Sequence, residues 1–134
     1  MISKLNPGTV HETAGYSHVT ISTAGRLAHL AGQCPLDLSG KVVGEPGDHA
    51  AQTAQVIANC LAVLTAAGAA PDDVVRSVIY VVSPDPAVLA GVWDQLNESP
   101  LAPAFTTAST LVGVAALGYT GQLVEIDLTA ALAD

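Results

Sequence analysis

The run Val74–Val82, Val-Val-Arg-Ser-Val-Ile-Tyr-Val-Val, constrains the fold most. It is dominated by β-branched and aromatic side chains, so it reads as a strand that must be buried on at least one face. A helical pattern lies on either side of it. Asp48 is placed to cap the first helix. Ala54, Ile57, Leu61 and Leu64 recur at helical spacing as its apolar face, with Gln52, Gln55 and Asn59 marking the other. Gly68 is a natural stop. Pro71-Asp72-Asp73 turns the chain into the strand. Beyond it, Asp85 caps a second helix with Pro86 at the first position, where a missing N–H costs nothing. That helix runs to about Leu96 and carries Val88, Leu89, Val92, Trp93 and Leu96 as its apolar set.

The remaining segments are extended or irregular. His18–Ser22 alternates and is β-branched, Thr23-Ala24-Gly25 reads as a turn, and Arg26–Ala31 reads as a second strand, so a hairpin is expected. Pro35–Gly47 reads as a loop, and Asn97–Ala108, with Pro100 and Pro103, as irregular. Thr110–Val114 and Leu123–Ala130 are β-rich and joined by a turn around Gly118-Tyr119-Thr120-Gly121. The resulting order, β-β-α-β-α-β-β, predicts an α+β fold with two helices packed on one face of a sheet. With 134 residues the chain is one domain over 1–134, large enough for its own core.

Half of the residues are hydrophobic and only 12% are charged, against about 25% in typical globular domains. The deficit predicts that subunit surface is buried in an oligomer; the alternative is a bias toward Ala, Val and Gly. Net charge is −8, and the strong cations Lys4, Arg26, Lys41 and Arg76 are scattered. Neutralising phosphates takes clustered Lys and Arg, so neither nucleic acid nor an anionic membrane is an expected partner. The N-terminal residues show no apolar h-region, so no signal peptide is expected. The most apolar stretch, 57–70, is broken by Asn59, Thr65 and Gly68 and falls short of the roughly 20 residues of a spanning helix. Cys34 and Cys60 lack disulfide or metal spacing, and a reducing cytoplasm is the simplest location. The four histidines also lack metal-ligand spacing, so neither metal nor cofactor is predicted.

Several short motifs stand in a specific order. Gly32-Gln33 with Pro35 follows the second strand, Ala67-Gly68 ends the first helix, and Val78–Val82 lies in the long strand. Thr-Ala-Ser-Thr-Leu-Val-Gly-Val-Ala-Ala-Leu-Gly spans 107–118, and Leu-Val-Glu-Ile-Asp spans 123–127. From about Gly15 to Thr129 the chain resembles the RidA/YjgF family of enamine/imine deaminases, also called the L-PSP endoribonuclease family. The resemblance implies a chorismate mutase-like fold, a homotrimer, and a pocket between subunits. In deaminating members an arginine binds the substrate carboxylate, and a C-terminal glutamate helps orient the attacking water. The glutamate falls on Glu125. Counting back from Leu117-Gly118, the arginine falls on Ser109, and no Arg or Lys occurs after Arg76. Leu111 takes a position where the family often has a small or sulfur-bearing residue. The N-terminal pocket tyrosine falls on His18, with Tyr16 two residues earlier.

Imine hydrolysis needs a water aimed at an electrophilic carbon and proton transfers to nitrogen. Glu125, flanked by Val124 and Ile126, serves that chemistry or a structural hydrogen-bond network. His18 brings an imidazole suited to proton transfer, or is satisfied by backbone. Ser109 offers a hydrogen bond but no charged, bidentate grip on a carboxylate. Gly32 lets the backbone approach a ligand, or packs in the strand. Cys34 lines the pocket without any neighbour in sequence that would make it reactive, and Cys60 is core. Trp93 and Phe105 wall the pocket or pack in the core. His29 is structural, while His11 and His49 are surface residues. Two functions compete: a divergent enamine/imine deaminase, carried by Glu125 and His18, or a non-catalytic trimer binding a small apolar metabolite or serving as an accessory protein. An endoribonuclease is the least supported.

Overall fold

Both helices form where their caps stand. In the computed structural model, which describes residues 1–23 and 25–133, α1 spans His49–Ala66 and α2 spans Pro86–Asn97. The Asp48 side chain accepts from the Ala51 amide and the Asp85 side chain from the Ala87 amide, each satisfying an orphan donor of a first turn. Gly68 adopts a left-handed φ of 79°, and the amides of Gly68 and Ala69 bond back to Thr65 and Leu64, which closes α1.

Among the described residues six strands form: β1 Ile2–Leu5, β2 Val19–Ser22, β3 Arg26–His29, β4 Val74–Val82, β5 Ala108–Val114 and β6 Val124–Leu132. One sheet has the order β3-β6-β4-β5, with β4 antiparallel to β6 and parallel to β5. The second is the two-stranded ribbon β1-β2. The expected hairpin between His18–Ser22 and Arg26–Ala31 is not among the pairings of the described residues: β2 takes β1 as its partner and β3 takes β6. Ala24, in the expected turn, lies outside the described residues. Non-local partners won because β6 offers β3 a complete antiparallel ladder, Arg26↔Leu132 to His29↔Thr129. A short 3-10 turn, Ala102–Thr106, organises the Pro-containing segment expected to be irregular.

Both helices cover one face of the larger sheet. Val56, Ile57, Cys60 and Leu64 of α1 and Val92 and Leu96 of α2 pack on Ile79, Val81, Val124, Ile126 and Leu128. The α1 face differs from expectation in one particular: Ala54 is exposed, while Gln52 is buried. His49 is also not a surface residue, since its Nε2 lies 2.9 Å from the Val82 carbonyl oxygen and the ring is half-buried. Alternation along β6 places Glu125, Asp127 and Thr129 on the opposite, open face, beside Tyr80 and Arg76 of β4.

Candidate functional site

The residues singled out in the sequence fall into two groups on opposite faces of the sheet. The first surrounds Glu125. Past β3 the chain keeps to the edge of β6: Leu30 donates to Leu128, and Gln33 and Ile126 exchange both backbone bonds at 2.7 and 3.1 Å. This brings Gly32 against the Glu125 side chain. A Cβ at Gly32 would collide with Glu125 Oε2 and lie 2.8 Å from its Cδ, so no larger residue fits while the carboxylate stays in place.

Glu125 Oε1 accepts two hydrogen bonds, from the Cys34 thiol at 3.2 Å and from Gln122 Nε2 at 3.1 Å. None of the described residues donates to Oε2, which leaves that oxygen open above Gly32. Cys34 is a donor rather than a nucleophile: burial, reinforced by the neighbouring carboxylate, pushes its thiol up to about 11. Cys60 is core, and burial alone raises its thiol to about 12. Tyr80 donates to Asp127 at 3.1 Å, and that bond raises the phenol above its ordinary range.

Three amides hold the carboxylate's surroundings. Gln122 is buried, receives the Tyr119 amide on its Oε1, and divides its Nε2 between Val124 O and Glu125. Gln52, 1% exposed, reaches across from α1, donates to Gly121 O at 2.9 Å and accepts from Leu123 N at 2.7 Å. Asn59 donates to the carbonyls of Cys34 and Leu36 at 2.9 and 3.0 Å. Gln52 and Asn59 read as a solvent face in the sequence, and Gln122 carried no signal beyond standing three residues before Glu125.

The second group lines a cleft of about 560 Å³ between α2 and β5. Ser109, Leu111 and Trp93 all border it, together with Tyr16, Leu89 and Thr110. Ser109 Oγ is held by Ser77 Oγ on the adjacent strand, with the carbonyls of Phe105 and Thr107 within 3.4 and 3.3 Å. Trp93 stands edge-to-face between Tyr16, at 6.4 Å, and the core residue Phe105, at 6.0 Å. His18 is not among the lining residues. Its Nε2 donates to the His11 carbonyl at 2.8 Å, and its ring lies 4.7 Å from that of His11 and 5.9 Å from Tyr16. Tyr16, bonded to His11 Nε2 at 2.9 Å, takes the place on the cleft wall. Among the described residues Glu125 and His18 share no hydrogen bond, and the α2/β5 cleft is lined by neither. Among the described residues no group of three or more His, Cys, Asp or Glu could hold a metal ion, and no helix is long and apolar enough to cross a membrane.

Residues 8–132 match the family model Endoribonuclease L-PSP. Among solved structures, the chain is similar to YyfB from Yersinia pestis, a protein of unknown function of the conserved Rid protein family. The two are 40% identical over 98% of each chain, with a TM-score of 0.88. A second Rid-family protein of unknown function from the same organism, YyfA, is 26% identical over 98% of this chain and 100% of its own, with a TM-score of 0.68. A member of the highly conserved YjgF family from Mycobacterium tuberculosis is 27% identical over 98% of this chain and 100% of its own, with a TM-score of 0.63. No curated protein matches the sequence.

Proposed function

The chain belongs to the Endoribonuclease L-PSP family, the YjgF/Rid family, and we propose that it is a divergent, cytoplasmic imine/enamine deaminase acting as a homotrimer. The observation that carries this reading is the Glu125 carboxylate: one oxygen held by Cys34 and Gln122, the other open above Gly32. That is the arrangement a water-orienting base needs, because the fixed oxygen sets the direction of the free one. The Glu125 group and the Ser109 cleft lie on opposite faces of one sheet, so a complete pocket takes one group from each of two subunits. The open sheet face, opposite the one that α1 and α2 cover, supplies the trimer contacts.

In the proposed reaction Glu125 Oε2 accepts a hydrogen bond from water and aims its oxygen at the imine carbon. The C–O bond forms while the C=N π pair moves to nitrogen, and the proton drawn from water is delivered there. The carbinolamine then passes its hydroxyl proton to nitrogen, the O–H electron pair forms the C=O bond as the C–N bond breaks, and ammonia and a carbonyl compound leave. One water is consumed and no redox partner is needed.

The test is ammonia release from 2-aminoacrylate generated in situ and from an aryl imine lacking a carboxylate, with Glu125→Gln alongside. Release above the spontaneous rate that vanishes in Glu125→Gln supports the reading; no release from either substrate sinks it. The second reading, a non-catalytic trimer holding a small apolar metabolite or serving as an accessory protein, is favoured by the uncharged lining of the cleft and by Ser109 in the arginine position. An endoribonuclease remains disfavoured by four scattered cations and a net charge of −8.

A further inference from the structure

The cleft between α2 and β5 restricts what it can hold. Its nine lining residues, which include Pro86, Leu89, Trp93 and Leu111, contain no charged side chain. A carboxylate placed there would lose its hydration without gaining a cationic partner, a heavy cost in an apolar environment. The polar atoms present are largely engaged. Tyr16 Oη bonds His11 and Ser109 Oγ is held by Ser77 and by backbone carbonyls, while Thr110 turns its hydroxyl to the opposite face of β5, where it accepts from Arg76 at 2.9 Å. On the apolar side, Tyr16 and Trp93 already stand edge-to-face, and a third aromatic ring extends that array at favourable geometry. The volume, about 560 Å³, lies within the range of small-molecule pockets.

We propose that this cleft selects an uncharged imine bearing an aryl group, its ring against Trp93 and Tyr16. The inference rests on the deaminase reading for the word imine, but the selection against a carboxylate rests on the cleft alone.

Trp93 is the single tryptophan, so its emission reports entry into the cleft. Acetophenone and phenylglyoxylate are the ketone products of a neutral and a carboxylate-bearing aryl imine, and they differ by methyl against carboxylate. Titration of the wild-type protein, followed by Trp93 emission and by calorimetry, is expected to give at least about tenfold tighter binding of acetophenone. Ser109→Arg, which supplies a guanidinium at the wall, is expected to reverse that order. Equal or tighter binding of phenylglyoxylate by wild type overturns the proposal. So does the absence of binding by both, which would leave the cleft to a second copy of the chain. Hydrolysis separates the two readings. Preferential acetophenone binding without ammonia release from its imine leaves the selectivity standing and removes the deaminase. Ammonia release confined to carboxylate-bearing imines does the reverse.

Discussion

The two faces of the sheet solve opposite problems. Around Glu125 polar groups are satisfied one against another: Cys34 and Gln122 on the carboxylate, Gln52 on the loop at Gly121 and Leu123, Asn59 on the loop at Cys34 and Leu36. Around Ser109 the walls are aromatic and aliphatic, and the few polar atoms are turned to neighbours rather than to the cavity. A satisfied polar network is exacting, because removing one member strands the others. An apolar wall tolerates change of shape at constant volume. In the proposed deaminase the first region therefore fixes where the reaction is carried out, and the second fixes what is admitted.

The sharpest break in this contrast is expected at Gln52. Gln52→Ala empties the buried site of its side chain and leaves the Leu123 N–H and Gly121 carbonyl without their partner, and urea unfolding is expected to show a loss of about 3 kcal/mol. Next comes Gly32→Ala, whose added methyl displaces the Glu125 carboxylate. The expected loss is about 100-fold in kcat/KM for imine hydrolysis, equivalent to about 2.7 kcal/mol of barrier, with circular dichroism unchanged. Cys34→Ala removes one donor to Glu125 and is expected to cost about 1 kcal/mol of stability, which Cys34→Ser restores. The same thiol gives a pH signature. Its folded value of about 11 stands above the ordinary 9.0, so its contribution is complete below pH 9.0 and is lost as pH rises through about 11. Unfolding midpoints measured across that window are expected to fall with pH, and less steeply in Cys34→Ser. The smallest effect is expected in the cleft wall: Leu111→Met should shift stability by less than about 1.5 kcal/mol. A larger loss there would mean that the wall is as exacting as the network.

What could be read from the sequence followed the range of the forces involved. Asp48, Gly68, Asp85 and Pro86 act on their own neighbours, so both helices and the intervening strand Val74–Val82 were legible nearly to the residue. Strand partnership is decided at a distance, and there local reading failed: the expected hairpin gave way to β1-β2 and β3-β6 pairs. Ile2–Leu5 was missed as a strand for the same reason, since its pairing with Val19–Ser22 is visible only once the chain is folded. Glu125 stood out because an acid between Val124 and Ile126 breaks an apolar run. The amides Gln52, Asn59 and Gln122 did not, because an amide on a helix or beside a turn looks the same whether water or a loop satisfies it. His18 and Tyr16, two residues apart, could be assigned to the cleft wall only by geometry.

The position of β6 carries a consequence for how the protein is made. This strand follows all the others in the chain, yet it lies between β3 and β4 and joins them. Until residues 124–132 have left the ribosome, β3 has no ladder partner, and Val74, Ile79 and Val81 lack their neighbours Ala130, Ile126 and Val124 on β6. The sheet therefore closes after synthesis of its last strand rather than growing as the chain emerges. In the interval the nascent chain exposes the unpaired edge of a β-branched strand, the kind of surface that chaperones shield.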